Sequence, residues 1–348
     1  MRRAESKTAK TMMPRACLLI PCLGCFLALP MVFTAVSGQT SGVNSGSGLP
    51  PQVPTPADNL PTPEKISLGK QLFFDPRLSG DDRMSCATCH VPEKAFTDGF
   101  KTAKGAAGRS LKRNTQSLLN VGLYSVYFWD GRAGSLEQQA LAPIAAADEM
   151  NQDPGELVRE LSAVPAYVKQ FQSAFGTGVT KDGIAKALAA FERTLVARNS
   201  PFDRFLAGDK SALSEQAREG WRLFRDAGCI RCHSGPAFSD NKFYRLGVGY
   251  RDPGRGGITG DKQQLYAFRT PSLRDVARTA PYMHDGSFET LAQVVEFYFR
   301  STPSGSSEGL TIDFEPLAGW SFSGIAPIVA FLDSLTGEAP EVSPPRLP

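Results

Sequence analysis

The chain has 348 residues, 41% hydrophobic and 21% charged, with a formal net charge of +3, and is long enough for two domains with cores of their own. The basic excess sits in the first 38 residues, where Arg2, Arg3, Lys7, Lys10 and Arg15 face Glu5; without that segment the balance is about −1. Charge therefore gives no case for nucleic-acid binding.

Residues 1–38 join this basic start to an apolar run, Ala16 to Val36, and a small-residue exit at Ala35-Val36-Ser37. That is the pattern of a secretory signal peptide, so the mature protein is expected in the periplasm. Two less favoured alternatives stay open. The run is long enough for an uncleaved membrane anchor, and Leu23-Gly24-Cys25 loosely resembles a lipoprotein box. Cys17, Cys22 and Cys25 all fall here, so four of the seven cysteines remain beyond it. Residues 39–61 are rich in Gly, Ser and Pro and read as a disordered leader.

Thr62-Pro63 then predicts a helix start, with Ile66, Gly69, Leu72 and Phe73 along one face and Asp75-Pro76 at its end. Cys86-Ala-Thr-Cys89-His90 follows, and Cys229-Ile-Arg-Cys232-His233 repeats it. C-x-x-C-H is the attachment pattern of c-type haem, in which two thioethers hold the ring and the histidine ligates iron. Zinc is the competing use of such pairs and wants four ligands per site. Only His284 is left beyond the two motifs, so two zinc sites would lack obvious ligands.

The longest clean helix is expected after Asp182 as cap, through Ile184, Ala187, Leu188, Phe191 and Leu195, fading at Asn199-Ser200-Pro201. Gly69-x-x-Leu72-Phe73 before the first motif is echoed by Gly220-x-x-Leu223-Phe224 before the second, a weak internal repeat. Gly247–Gly260 reads as a surface loop. Thr290–Gln293 makes a capping box for a helix with Leu291, Val294, Val295 and Tyr298 on one face. A last apolar helix is expected from Ser323 to Leu335. Strand signals are sparse. The expected fold is mainly α, with two cytochrome c-like haem domains packed together, residues 62–200 and 201–348.

The order C-A-T-C-H, Phe128-Trp129-Asp130-Gly131-Arg132, Glu149-Met150, the second C-x-x-C-H, and Thr279-Ala-Pro-Tyr-Met-His284-Asp-Gly resembles the bacterial di-haem cytochrome c peroxidases and their MauG-type relatives. The resemblance covers roughly residues 60 to 340. It implies two covalently bound haems, the first reacting with hydrogen peroxide and the second storing or relaying electrons, with one calcium ion between the domains.

Site residues carry over position by position. His90 and His233 match the iron ligands beside Cys86, Cys89, Cys229 and Cys232, and His284 belongs with the cofactor-binding set. The typical peroxidase closes its first haem with a further histidine, and Val91 to Leu119 has none, so an open first haem is expected. The classical axial methionine of the second haem is missing from the helix after His284-Asp-Gly, and Tyr298 takes the matching position. A packing role for Tyr298 competes with ligation, because it shares a stripe with Leu291, Val294 and Val295. A phenolate oxygen favours oxidised iron, whereas a thioether favours reduced iron. Glu149, six residues after Pro143, matches the distal acid–base group. Trp129 matches the electron relay between the haems. Asn114, with the backbone oxygens of Thr279 and Pro281, matches the calcium ligands.

The resemblance thus implies a periplasmic di-haem oxidase that draws two oxidising equivalents from peroxide and oxidises tryptophan side chains of a secreted partner protein. The alternative is a conventional peroxidase fed by a small cytochrome or cupredoxin. A di-haem electron carrier without catalysis comes third.

Overall fold

The computed structural model describes residues 48–249, 251–300 and 322–348. The expected signal segment and residues 39–47 of the expected leader lie outside them. Helices dominate. In the first half they are α1 (Pro63–Phe74), α2 (Cys86–Cys89), α3 (Leu136–Ala145), α4 (Pro154–Ser162), α5 (Pro165–Phe175) and α6 (Lys181–Glu192). The second half carries α7 (Pro201–Leu206), α8 (Glu215–Asp226), α9 (Gly256–Thr259), α10 (Leu291–Arg300) and α11 (Ile325–Asp333). Two-residue strands, β1 (Phe243–Tyr244) and β2 (Phe268–Arg269), pair antiparallel.

Each half has its own apolar core, one built from Leu68 to Ala197 and the other from Phe202 to Leu335. The two cores use one packing device. In α1, Gly69 lies so close to α6 that a Cβ there would stand 1.9 Å from the Ala187 carbonyl oxygen; in α8, one on Gly220 would stand 1.8 Å from that of Pro327 in α11. Only a residue with no side chain permits such backbone contact. One turn on, Phe73 meets Phe191 at 5.2 Å between ring centroids and Phe224 meets Phe331 at 5.0 Å. The weak Gly-x-x-Leu-Phe repeat is thus the packing core of both halves.

Helix ends follow capping chemistry. Thr62 caps α1 by accepting from Lys65 N, with Pro63 in the first turn. Helix α6 is capped by Thr180, which accepts from Gly183 N. The expected cap Asp182 sits inside the first turn and pairs with Lys186 at 3.0 Å. The helix also ends at Glu192, short of Leu195, where Thr194 Oγ1 donates to Phe191 O. The Thr290/Gln293 capping box forms in both directions: Gln293 N donates to Thr290 Oγ1 at 3.2 Å, and Thr290 N to Gln293 Oε1 at 3.0 Å.

Two differences from expectation matter. Part of the expected leader is laid onto the first half: Asn59 is 1% exposed, and its Nδ2 donates to Glu137 Oε1 and Lys186 O. Its side-chain amide anchors that strip, together with Arg198, which donates to Pro50 O and Pro51 O. The stretch 247–260, expected to be a surface loop, contains α9, and its Asp252 is buried against the other half.

The halves are joined by buried polar bonds. Asn120 Nδ2 donates to Asp275 Oδ2 at 2.9 Å, while its Oδ1 accepts from Ala197 N. Gly337 N donates to Asp275 Oδ1, after which Ala339 and Val342 return to the first core. Burial raises the Asp275 carboxyl above its ordinary range, against the pull of the Gly337 and Asn120 donors.

Candidate active site

Cys86 and Cys89 lie on the single turn of α2, which Ser85 and Thr88 close reciprocally as a capping box. His90 follows, and its Nδ1 is 3.0 Å from the Phe96 carbonyl oxygen. In the second motif His233 Nδ1 is 3.1 Å from the Phe238 carbonyl. A carbonyl only accepts, so Nδ1 carries the proton in both rings and each Nε2 keeps its lone pair for a metal. Burial lowers the basicity of both imidazoles and so favours this neutral form.

Near the first motif, the loop bearing Glu149 is shaped by Pro143. Helix α3 stops at Ala145, and the chain curls back so that Met150 N donates to Pro143 O at 3.1 Å and Gln152 N to Ile144 O at 2.8 Å. Glu149's own carbonyl is held by Ala106 N at 2.7 Å. Its carboxyl is half-buried; burial pushes its pKa up, while Arg132 and Arg113 pull it down against Asp148. The Cys89 thiol is pushed up to about 11, mostly by burial and partly by Asp98 and Glu149, so Glu149 lies within electrostatic reach of Cys89.

The two arginines belong to a cluster that spans the halves. Arg113 clasps Asp252 through Nε at 2.7 Å and Nη2 at 2.8 Å, and its Nη1 reaches Asp130 Oδ2 at 2.5 Å. Arg132 Nη1 also reaches Asp130 Oδ2, at 2.9 Å, with its guanidinium 3.5 Å from the centre of the Phe128 ring. Arg113 and Asp252 are 139 positions apart, and only the tertiary fold reveals the pair.

The second motif opens on a cavity of about 320 Å³. Cys229, Cys232, His233, Tyr298, Trp129 and His284 all line it, and Val294, Val295, Ile328 and Leu332 make its walls apolar. Burial pushes the Tyr298 phenol up, with a further contribution from Cys229 and Cys232 that thioether formation would remove. Asn114, Thr279 and Pro281 line the same cavity, as does Met283, a thioether that sequence reasoning had not connected with it. Trp129 bridges the halves: its Nε1 donates to Asn114 O at 3.0 Å and its carbonyl accepts from Arg269 N at 2.7 Å. Asn114 N in turn donates to His284 O at 2.8 Å, and Asn114 Nδ2 to Phe100 O.

His284 is 4% exposed and stacked on Phe268 at 3.7 Å between ring centres; its Nε2 has no hydrogen-bond partner among the described residues. In the first half, Glu192 Oε2 is similarly without a partner, and burial lifts that carboxyl to about 8. Orphaned polar atoms, apolar walls and two histidines whose Nδ1 is held by a backbone carbonyl fit c-type haem at both motifs. Sequence reasoning missed Arg269, Glu192, Arg113 and Asp252. None stands in a recognisable motif.

The comparisons agree with this geometry. Residues 63–211 match the family model described as di-haem cytochrome c peroxidase. The methylamine utilization protein MauG of Methylophilus methylotrophus is 40% identical, over 86% of this chain and 90% of its own length. Cytochrome c551 peroxidase of Nitrosomonas europaea is 38% identical, over 82% of this chain and 85% of its own. A solved MauG-like protein associated with microbial copper homeostasis superposes with a TM-score of 0.75 at 32% identity, covering 83% of this chain and 95% of that one. This chain is a mainly helical oxidoreductase of the di-haem cytochrome c peroxidase family, the family of c-type haem enzymes that includes MauG.

Proposed function

We propose that this enzyme works in the MauG manner, using hydrogen peroxide to oxidise tryptophan, or a similar side chain, of a secreted partner protein. The observation that carries the reading is Tyr298 in the wall of the cavity that also holds His233, Cys229 and Cys232. Bound haem would supply the iron centres that reduce peroxide and hold its two oxidising equivalents. The chain has three histidines, and with His233 and His284 in the second cavity only His90 remains for the first motif. No histidine then closes the peroxide side there.

Glu149 is the proton carrier: its half-buried carboxyl takes a proton from one peroxide oxygen and returns it to the other, which leaves as water. Arg113 and Arg132 keep that carboxyl from becoming too weak an acid. Pro143 shapes the loop that presents it. Tyr298 offers the second iron a hard oxygen donor, which favours the oxidised metal. Trp129, hydrogen-bonded to both halves, is the electron relay. Asn114, Thr279 and Pro281 offer oxygen atoms for a calcium ion with a shell completed by water. The first 38 residues send the protein to the periplasm. Among the described residues no helix is long and apolar enough to cross a membrane.

A second reading has an observation of its own. Met283 shares the cavity with Tyr298, so a thioether is at hand as in a conventional peroxidase with a small electron-donor protein. One equivalent of peroxide added to the resting diferric holoprotein separates the two. The MauG-type reading expects a prompt, long-lived absorbance change worth two electrons, without pre-reduction or donor. An inert diferric protein whose half-reduced form turns over with a reduced small cytochrome would replace that reading with the conventional one.

A further inference from the structure

Three arginines line the second cavity, and their charges are handled differently. Arg231 is exposed to solvent. Arg274 is buried and neutralised by a two-point pair with Asp203, at 2.9 Å for each contact. Arg269 is 2% exposed and has no carboxylate within ion-pair distance among the described residues. Its Nη1 donates to Thr270 O at 3.1 Å, its Nε reaches Phe128 O at a long 3.4 Å, and its guanidinium lies 4.3 Å from the centre of the Tyr124 ring.

A guanidinium carries five N–H donors and does not give up its proton in a protein. Two carbonyls and the Tyr124 side chain, none of them a carboxylate, leave the charge without a counter-ion. Burying an ion without a counter-charge costs several kcal/mol. A fold that accepts this cost in a ligand cavity is built for an anionic ligand group. Haem attached through Cys229 and Cys232 spends its vinyl groups on the thioethers and keeps two carboxylates.

We propose that Arg269 is the docking cation for a propionate of the second haem. The pair would fix the ring against the Phe128-Trp129 turn, because the Arg269 side chain bonds Phe128 O and its backbone N–H bonds Trp129 O at 2.7 Å. Arg269 is therefore a positioning residue, coupling haem orientation to the tryptophan between the halves. This inference rests on haem binding alone and stands whichever partner the enzyme serves.

The test is a spectroelectrochemical titration of the holoprotein as wild type, Arg269→Gln and Arg269→Lys, with absorption spectra resolving the two haems. Losing the cation leaves a carboxylate unbalanced beside the ring, which favours ferric iron. Arg269→Gln is expected to lower the reduction equilibrium constant of the second haem about tenfold, 59 mV for one electron. The first haem should stay within twofold, and Arg269→Lys should recover most of the loss. An unchanged second haem in Arg269→Gln, with haem content intact, overturns the proposal. So does an equal shift at both haems. If neither variant retains the second haem, the resonance Raman carboxylate bending band of the wild type decides: a hydrogen-bonded frequency supports the pair, and a free-carboxylate frequency refutes it.

Discussion

Replacing Glu149 with Gln keeps the side-chain volume and removes only the capacity to carry a proton. The loop should hold its shape, because it is fixed by backbone bonds: Ala106 N to Glu149 O, Met150 N to Pro143 O and Gln152 N to Ile144 O. The loss is therefore expected in chemistry and not in folding. General acid–base catalysis is worth roughly 10²–10⁴ in rate, about 2.7–5.4 kcal/mol of barrier at 1.36 kcal/mol per decade. Stopped-flow absorption after peroxide addition reads it, with pyridine haemochrome checking that both haems are present. The pH profile adds a second constraint. Burial raises the Glu149 carboxyl above the ordinary glutamate range, so the wild-type rate should climb through an inflection above that range as the base form appears. Arg113→Gln removes one of the two cations that restrain the shift and should move the inflection further up. A Glu149→Gln enzyme with the wild-type rate, or one that is slow yet keeps the inflection, would refute the assignment of Glu149 as proton carrier.

Tyr298→Phe should abolish the low-spin electron paramagnetic resonance signal of the second haem and leave the first haem high-spin, whereas Met283→Leu should leave both signals in place; the reverse pattern makes Met283 the ligand. Gly220→Ala drives a methyl group into the Pro327 carbonyl, an overpacking that costs about 1–3 kcal/mol, read by denaturant titration; Gly69→Ala should do the same to the first half. Glu192 is expected to stay protonated in the fold up to about 8 but to ionise near 4.5 in the unfolded chain. The folded state then binds the extra proton between those values, so stability falls as pH rises through that window. Glu192→Gln should flatten the slope and gain no more than roughly 4 kcal/mol at pH 7.5, and an unaltered slope in urea titrations would place the ionisation elsewhere.

Local chemistry wrote a large part of this protein into its sequence. C-x-x-C-H, the attachment and ligation pattern of c-type haem, is legible within five residues. Thr62-Pro63 and Thr290 to Gln293 fix helix starts within one turn, because capping is a matter of neighbouring hydrogen bonds. Even Gly69 and Gly220 were visible as an echo, although their purpose was not. Sequence reasoning erred where local signals competed: Asp182 and Thr180 are both good caps, and the one whose oxygen meets a free N–H is settled by the path of the chain into α6. It also treated a polar leader and a Gly-rich stretch as solvent-facing. Asn59 and Asp252 show otherwise, since each is buried through hydrogen bonds or charges to residues far along the chain. Tyr298 could be placed on a helix face from its spacing, but a packing face and a cavity face look alike in periodicity. Only the tertiary structure decided that this face shares a cavity with His233. The same holds for Arg269: its identity is plain in the sequence, but a missing counter-ion is a property of everything around it, and that environment exists only once β2 is set against the Phe128-Trp129 turn.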